Sequence, residues 1–195
     1  FFQQEYSSEE SFYDFISEQP YTVLFIDGNH ENFNLLNSYQ VESWNGGYVH
    51  KIRHNLIHLM RGEIYTIEGK TFFTFGGGYS CDIETRVEHR SWWQQELPTT
   101  KEWNEALNNL LQYNFHVDYI ITHDCPFYIK ELLHTGTIPC NLNDYTLPHL
   151  RNIDEVMDDI EQQVTYKLWF SGHLHIDQTI YKHVILFNTI YCLER

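Results

Sequence analysis

An α/β fold is what this chain predicts, on three observations. Three short, nearly continuous apolar runs, at 21–27, 117–122 and 166–171, read as strands buried on both faces, the kind found in parallel sheets. Capped helical patterns alternate with them, without a linker-like gap. A hairpin pattern at 63–75 adds antiparallel strands. Together these fit one layered α/β domain spanning 1–195.

Each element has its own justification. Ser7-Ser-Glu-Glu10 reads as a capping box opening a short helix, with Phe12, Phe15 and Ile16 on one face. Tyr-Thr-Val-Leu-Phe-Ile-Asp at 21–27 is the first buried strand, and 29–38 reads as loop and short helix with Phe33 and Leu36 inward. Residues 63–68 and 71–75 form the hairpin, joined by Gly69-Lys70. Residues 99–113 predict an amphipathic helix, capped by Thr99 and Glu102, with Trp103, Leu107, Leu110 and Leu111 on one side. The strand at 117–122 follows. Asn152 then caps a helix carrying Ile153, Val156, Met157 and Ile160. After the strand at 166–171, residues 179–181 and 183–191 alternate as a closing hairpin.

Composition narrows the function classes. Fourteen Tyr, 13 Phe and 5 Trp suit a heavily packed core. Twelve Lys+Arg against 27 Asp+Glu give a formal charge of −15, which opposes a broad nucleic-acid-binding surface. A phosphate substrate stays compatible, because bound divalent cations reverse the local potential. Cys81, Cys125, Cys140 and Cys192 form no Cys-x-x-Cys pair, which predicts a reducing, cytoplasmic setting. No apolar stretch approaches the roughly 20 residues of a membrane span.

The three apolar runs end in metal-ligand chemistry. The first delivers Gly28-Asn29-His30-Glu31, the second His123 with Asp124 behind it, and the third Gly172-His173-Leu174-His175. Ligands in layered α/β folds gather beyond the carboxyl ends of such strands, so these residues read as one polar cluster. Asn29 reads as both turn residue and ligand. Glu31 reads as the start of the following helix, where negative charge is favourable. Gly76-Gly77-Gly78-Tyr79-Ser80 lacks the Lys-Ser/Thr of a phosphate-binding P-loop and reads as a backbone turn near the site. Other histidines, such as His50, His54, His58 and His134, read as surface residues.

In this order, G-N-H-E, a strand-end His and G-H-L-H resemble the later signature blocks of the calcineurin-like metallophosphoesterases. The resemblance implies a four-layer α/β/β/α sandwich with two facing mixed sheets and a metal site at their upper edge. It implies two divalent ions, of Mn, Fe, Zn or Ni type, about 3.5–4 Å apart, to polarise a phosphate ester and activate water. By motif, Asn29, His123 and His173 match ligands of one metal, and His175 a ligand of the other. His30 matches the phosphate-contacting residue and general acid. Arg86 lies on a segment near the active site in the resembling bacterial proteins, where it can meet a substrate anion.

The resemblance also marks a departure. The family opens with a strand ending Asp-x-His and a second ending Gly-Asp, and neither pair occurs here. The sequence-level expectation is therefore an N-terminally incomplete domain. The intact domain would hydrolyse a phosphate-ester small molecule or nucleotide, while these 195 residues alone would bind metal weakly and turn over slowly. Asp27 and Asp124, the nearest spare carboxylates, are not assigned a bridging role. The G-H-L-H ending favours small-molecule or nucleotide phosphodiesters over phosphoprotein substrates. The competing expectation is a non-catalytic homologue that keeps the fold as a binding or scaffolding module.

Overall fold

The computed structural model describes residues 6–133 and 151–193, so His134 and Cys140 lie outside the described residues. The chain is α/β with two mixed sheets. The first sheet has four strands: β1 (Val23–Phe25), β2 (Val41–Trp44), β3 (Gly47–Arg53) and β4 (Leu56–Leu59), in the order β1-β4-β3-β2. The second has six: β5 (Ile64–Ile67), β6 (Lys70–Phe75), β7 (Tyr119–Thr122), β8 (Leu168–Ser171), β9 (Gln178–Ile180) and β10 (His183–Ile185), in the order β5-β6-β7-β8-β10-β9. Strands β6, β7, β8 and β10 run parallel. Neighbouring strand ends therefore open at one edge, which is what positions the site.

The helices are α1 (Tyr6–Ser17), α2 (Phe33–Leu36), α3 (Thr100–Gln112), α4 (Phe127–Leu132) and α5 (Ile153–Gln163). Helix α3 carries the predicted capping box, with the Thr99 hydroxyl accepting from Glu102 N–H and the Glu102 carboxylate accepting from Thr99 N–H. Its Trp103, Ala106 and Leu110 join Ile153, Val156, Met157 and Ile160 of α5 against Phe73, Phe75, Ile120 and Trp169 of the larger sheet. Helices α1 and α2 cover the smaller sheet through Tyr13, Ile16, Phe33 and Leu36, packed on Ile52 and Leu56. A third cluster joins the sheets, with Val49, Ile57 and Leu59 meeting Tyr65. Strand β1 alternates between these settings: Val23 and Phe25 pack toward the helices, Leu24 and Ile26 toward the other sheet.

Several expectations need correction. In α1 the buried pair is Tyr13 and Ile16, one helical turn apart, while Phe12 and Phe15 are exposed. Leu111 is 61% exposed, since it falls outside the stripe set by Trp103, Ala106 and Leu110. The hairpin turn lies one residue earlier than expected, at Glu68 and Gly69, both at positive φ, as a two-residue hairpin turn matching the strand twist demands. Strands β2, β3 and β4 were not anticipated at all. Because of them His50 and His58 are 5% and 3% exposed rather than on the surface, whereas His54 is exposed as expected. The closing hairpin of β9 and β10 is present but ends at Ile185.

Candidate metal centre

The polar residues expected at the strand ends do meet. Asn29 follows β1, His123 follows β7 directly, and His173 follows β8 after Gly172. Asn29 Oδ1 lies 3.0 Å from His123 Nε2, and His173 Nδ1 lies 3.1 Å from the same nitrogen. The glycine turn closes over them. A Cβ on Gly78 would stand 3.0 Å from the His123 ring and 3.4 Å from Asn29 Cβ, so a side chain there would press on the ring by a few tenths of an ångström. His173 and His175 both adopt left-handed backbone, at φ 59° and 53°. Non-glycine residues held in this way concentrate at functional sites.

Hydrogen bonding alone leaves this cluster frustrated. A neutral imidazole nitrogen carries a proton or a lone pair, not both. If His123 Nε2 carries the proton, Asn29 Oδ1 and His173 Nδ1 compete for it. If His173 Nδ1 donates instead, the Asn29 oxygen faces a lone pair. A cation among the three atoms removes the conflict. Donors about 2.1 Å from one ion and at right angles to each other stand about 3 Å apart, the spacing seen here. Among the described residues, no group of three His, Cys, Asp or Glu side chains is disposed to hold a metal ion. An ion held here would take two donors from histidines and a third from the asparagine oxygen.

Electrostatics keep the donors in the required form. Burial, reinforced by the neighbouring His173, pushes the His123 pKa down to about 4. Burial also lowers that of His173, against the opposing pull of Asp124. Both are thus neutral near pH 7, as metal ligands must be. The two nearby carboxylates have other employment. Asp27 is buried, and burial would raise its pKa. Arg61 at 2.6 Å and His58 at 3.1 Å instead hold it well below the usual range. Asp124 is held low in the same way by Lys130 at 2.7 Å, and stands 4.0 Å from His173.

His30 and Arg86 border the cluster. Arg86 Nη2 lies 3.2 Å from His30 Nε2, and Asp82 clasps the guanidinium through Nε at 2.7 Å and Nη2 at 2.8 Å. Burial first, and then the Arg86 charge, lower the His30 pKa. His175 is exposed and stacks on Phe187 at 4.9 Å, outside the contact set of Asn29, His123 and His173. Glu31 is buried and accepts from Gly28 N–H at 3.2 Å. It therefore braces the turn rather than opening α2, whose N-cap is Asn32. Trp93, a few residues beyond Arg86, packs into the core with Tyr13 and Ile16.

Sequence reasoning missed the residues behind this site. Ser80 accepts from the Asn29 amide at 3.0 Å and donates to Glu96 at 2.8 Å. Burial pushes Glu96 up to about 7, against the Ser80 hydrogen bonds that lower it. His50, His58, Asp27 and Arg61 form a second buried chain. The one available signal was Ser80 ending the glycine turn after β6. No family model and no curated protein matches this chain.

Proposed function

We propose that this chain carries the metal-binding strand ends of a calcineurin-like, metal-dependent phosphoesterase, built as a four-layer α/β/β/α sandwich. The observation that carries the reading is the convergence of Asn29 Oδ1, His123 Nε2 and His173 Nδ1 at 3.0–3.1 Å. Those three would hold one divalent cation, and His175 is the donor offered to a second. When bound, the cations supply the positive charge that polarises a phosphoryl oxygen and acidifies water.

The chain's own residues do the rest. Arg86, fixed by Asp82, offers its guanidinium to a phosphate oxygen beside His30. His30 stands where it can protonate the leaving oxygen. Its lowered pKa makes it a stronger acid, and an arriving phosphate anion raises that pKa again, so the proton is gained together with the substrate. Buried Asn29 and the glycine turn shield the donors from bulk water. The free thiols of Cys81 and Cys125 suit a reducing, cytoplasmic setting, and the substrate class is a small phosphate ester or nucleotide.

The test is Mn²⁺-dependent hydrolysis of aryl phosphodiesters and monoesters, with Mn²⁺ binding measured alongside. Slow hydrolysis abolished by chelation is expected, and His30→Ala should lose about 10²–10⁴-fold in turnover while keeping Mn²⁺ binding. No Mn²⁺ binding and no hydrolysis across the panel would sink the proposal.

A further inference from the structure

A ligand asparagine presents a problem that a ligand histidine does not. Its amide has two ends, an oxygen that binds cations and an NH₂ that repels them, and only the surroundings decide which end faces the site. Here those surroundings form a buried chain. Glu96 is fully buried, with one carboxylate oxygen accepting from Ser80 N–H at 3.0 Å and the other from Ser80 Oγ–H at 2.8 Å. Ser80 is 1% exposed. Having spent its only proton on Glu96, the Ser80 hydroxyl can do nothing toward Asn29 but accept. Asn29 must therefore present Nδ2 to Ser80, at 3.0 Å, and turn Oδ1 toward His123 and His173.

We propose that Ser80 and Glu96 are positioning residues, forming a polarity relay that fixes the Asn29 amide with its oxygen aimed into the cation site. The relay rests on the cation reading of that site. Glu96 touches neither cation nor substrate; it acts through Ser80 on Asn29. The backbone supports it as well. Gly78 N–H donates to Glu96 O at 3.1 Å, tying the glycine turn to the segment that carries the carboxylate. Groups that orient a ligand in this way are commonly worth about 10–100-fold in metal affinity.

The isosteric variant Glu96→Gln makes a sharp prediction, because it reverses the relay rather than removing it. Ser80 N–H still needs an acceptor, so the oxygen of the substituted amide stays opposite it and the amide NH₂ faces Ser80 Oγ. The hydroxyl must then accept from that NH₂ and donate to Asn29, which draws Oδ1 away from the histidines. Ser80→Ala only disconnects the relay, leaving the Asn29 NH₂ with His30 Nε2, at 3.4 Å, as its weaker remaining contact. Once the Ser80 hydroxyl is gone, the side chain at position 96 can no longer act on Asn29.

The experiment measures Mn²⁺ affinity calorimetrically for the full chain and its variants at about pH 8.5, where a carboxyl raised to about 7 is ionised. Nuclear Overhauser contacts of the Asn29 side-chain NH₂ are recorded in the metal-free proteins. Affinity should fall about 10-fold in Ser80→Ala and about 100-fold in Glu96→Gln. The double variant should recover to the Ser80→Ala level, a rescue that damaged packing cannot produce. The Asn29 NH₂ protons should contact Ser80 in the wild type and the His123 and His173 rings in Glu96→Gln. The relay is overturned if the double variant is no better than Glu96→Gln, or if the NH₂ contacts stay on Ser80 in that variant. If the wild type binds no Mn²⁺, the cation reading fails on its own, and the Overhauser contacts alone decide whether the relay sets the amide.

Discussion

Arg86 shows how one side chain acquires a role from two neighbours. Asp82 takes Nε and one hydrogen of Nη2, leaving the second Nη2 hydrogen directed at His30 Nε2 at 3.2 Å. Two groups that are both cationic when charged repel each other, and the pKa of His30 is lowered by burial first and then by the Arg86 charge. Replacing Arg86 with Met should raise the His30 pKa, read by ring-proton titration. It should also raise KM for an aryl phosphate about 10–100-fold, the worth of about 1.5–3 kcal/mol for a hydrogen bond to a charged group. If neither value moves, Arg86 has no part in anion binding. Asn29, His30, His123 and His173 were legible because each closely follows a readable apolar strand. Ser80 and Glu96 were not. Their roles depend on where a loop returns in space: Ser80 was visible only as the end of the glycine turn, and Glu96 carries no pattern that distinguishes it from surface polar residues.

Among the elements, the strands expected at 117–122 and 166–171 are present and largely buried, the one at 21–27 is a half-buried edge strand of three residues, and β2, β3 and β4 escaped. Their burial is mixed in β2 and β3, and His50, His58 and Lys51 interrupt the apolar runs. The turn signal was nevertheless there. Asn45-Gly46, at φ 48° and 104°, joins β2 to β3, and Asn-Gly between strands is a strong short-range hairpin mark. The glycine turn after β6 couples the two sheets, since Gly77 N–H donates to Asp27 O at 3.0 Å. A Cβ on Gly76 would stand 2.1 Å from Asp27 Oδ1 and 2.7 Å from Asp27 O. Gly76→Ala must therefore displace a buried carboxylate from Arg61, and breaking such a pair costs about 3–5 kcal/mol. Gly69→Ala meets nothing within 4 Å and should cost only the left-handed backbone, about 1–2 kcal/mol. Urea unfolding of the two variants checks this, and equal losses would refute the coupling.

At the scale of the whole molecule, the stability of this acidic chain depends on buried groups that titrate away from their ordinary values, and the contributions differ in sign. Glu96, raised to about 7 by burial, favours the fold at low pH and loses that contribution as pH rises from the usual carboxylate range toward 7. His50 acts oppositely. Burial, and then the adjacent His58, lower its pKa to about 4. Asp27 is ionised and can only accept, so His58 Nε2–H donates to it, and His58 Nδ1 is left to accept from His50 Nδ1–H at 3.0 Å. A proton added to His50 would go to Nε2, outside that chain, and burial and the His58 neighbour oppose the charge it brings. Unfolded His50 takes up a proton near pH 6.5, whereas folded His50 resists until about pH 4. Between those values the unfolded state binds more protons, so this contribution to stability is full above about pH 6.5 and is lost as pH falls toward 4. Each fully displaced proton changes stability by up to about 1.4 kcal/mol per pH unit. His50→Gln keeps a donor for His58 but cannot titrate, which isolates the effect from Glu96 and the site histidines. The stability of wild type relative to the variant should fall by up to about 1.4 kcal/mol per pH unit as pH is lowered from about 6.5 to 4. Urea unfolding of both proteins across that range reads it directly, and a relative stability that is constant or rises toward acid would show that His50 is not held neutral by the fold.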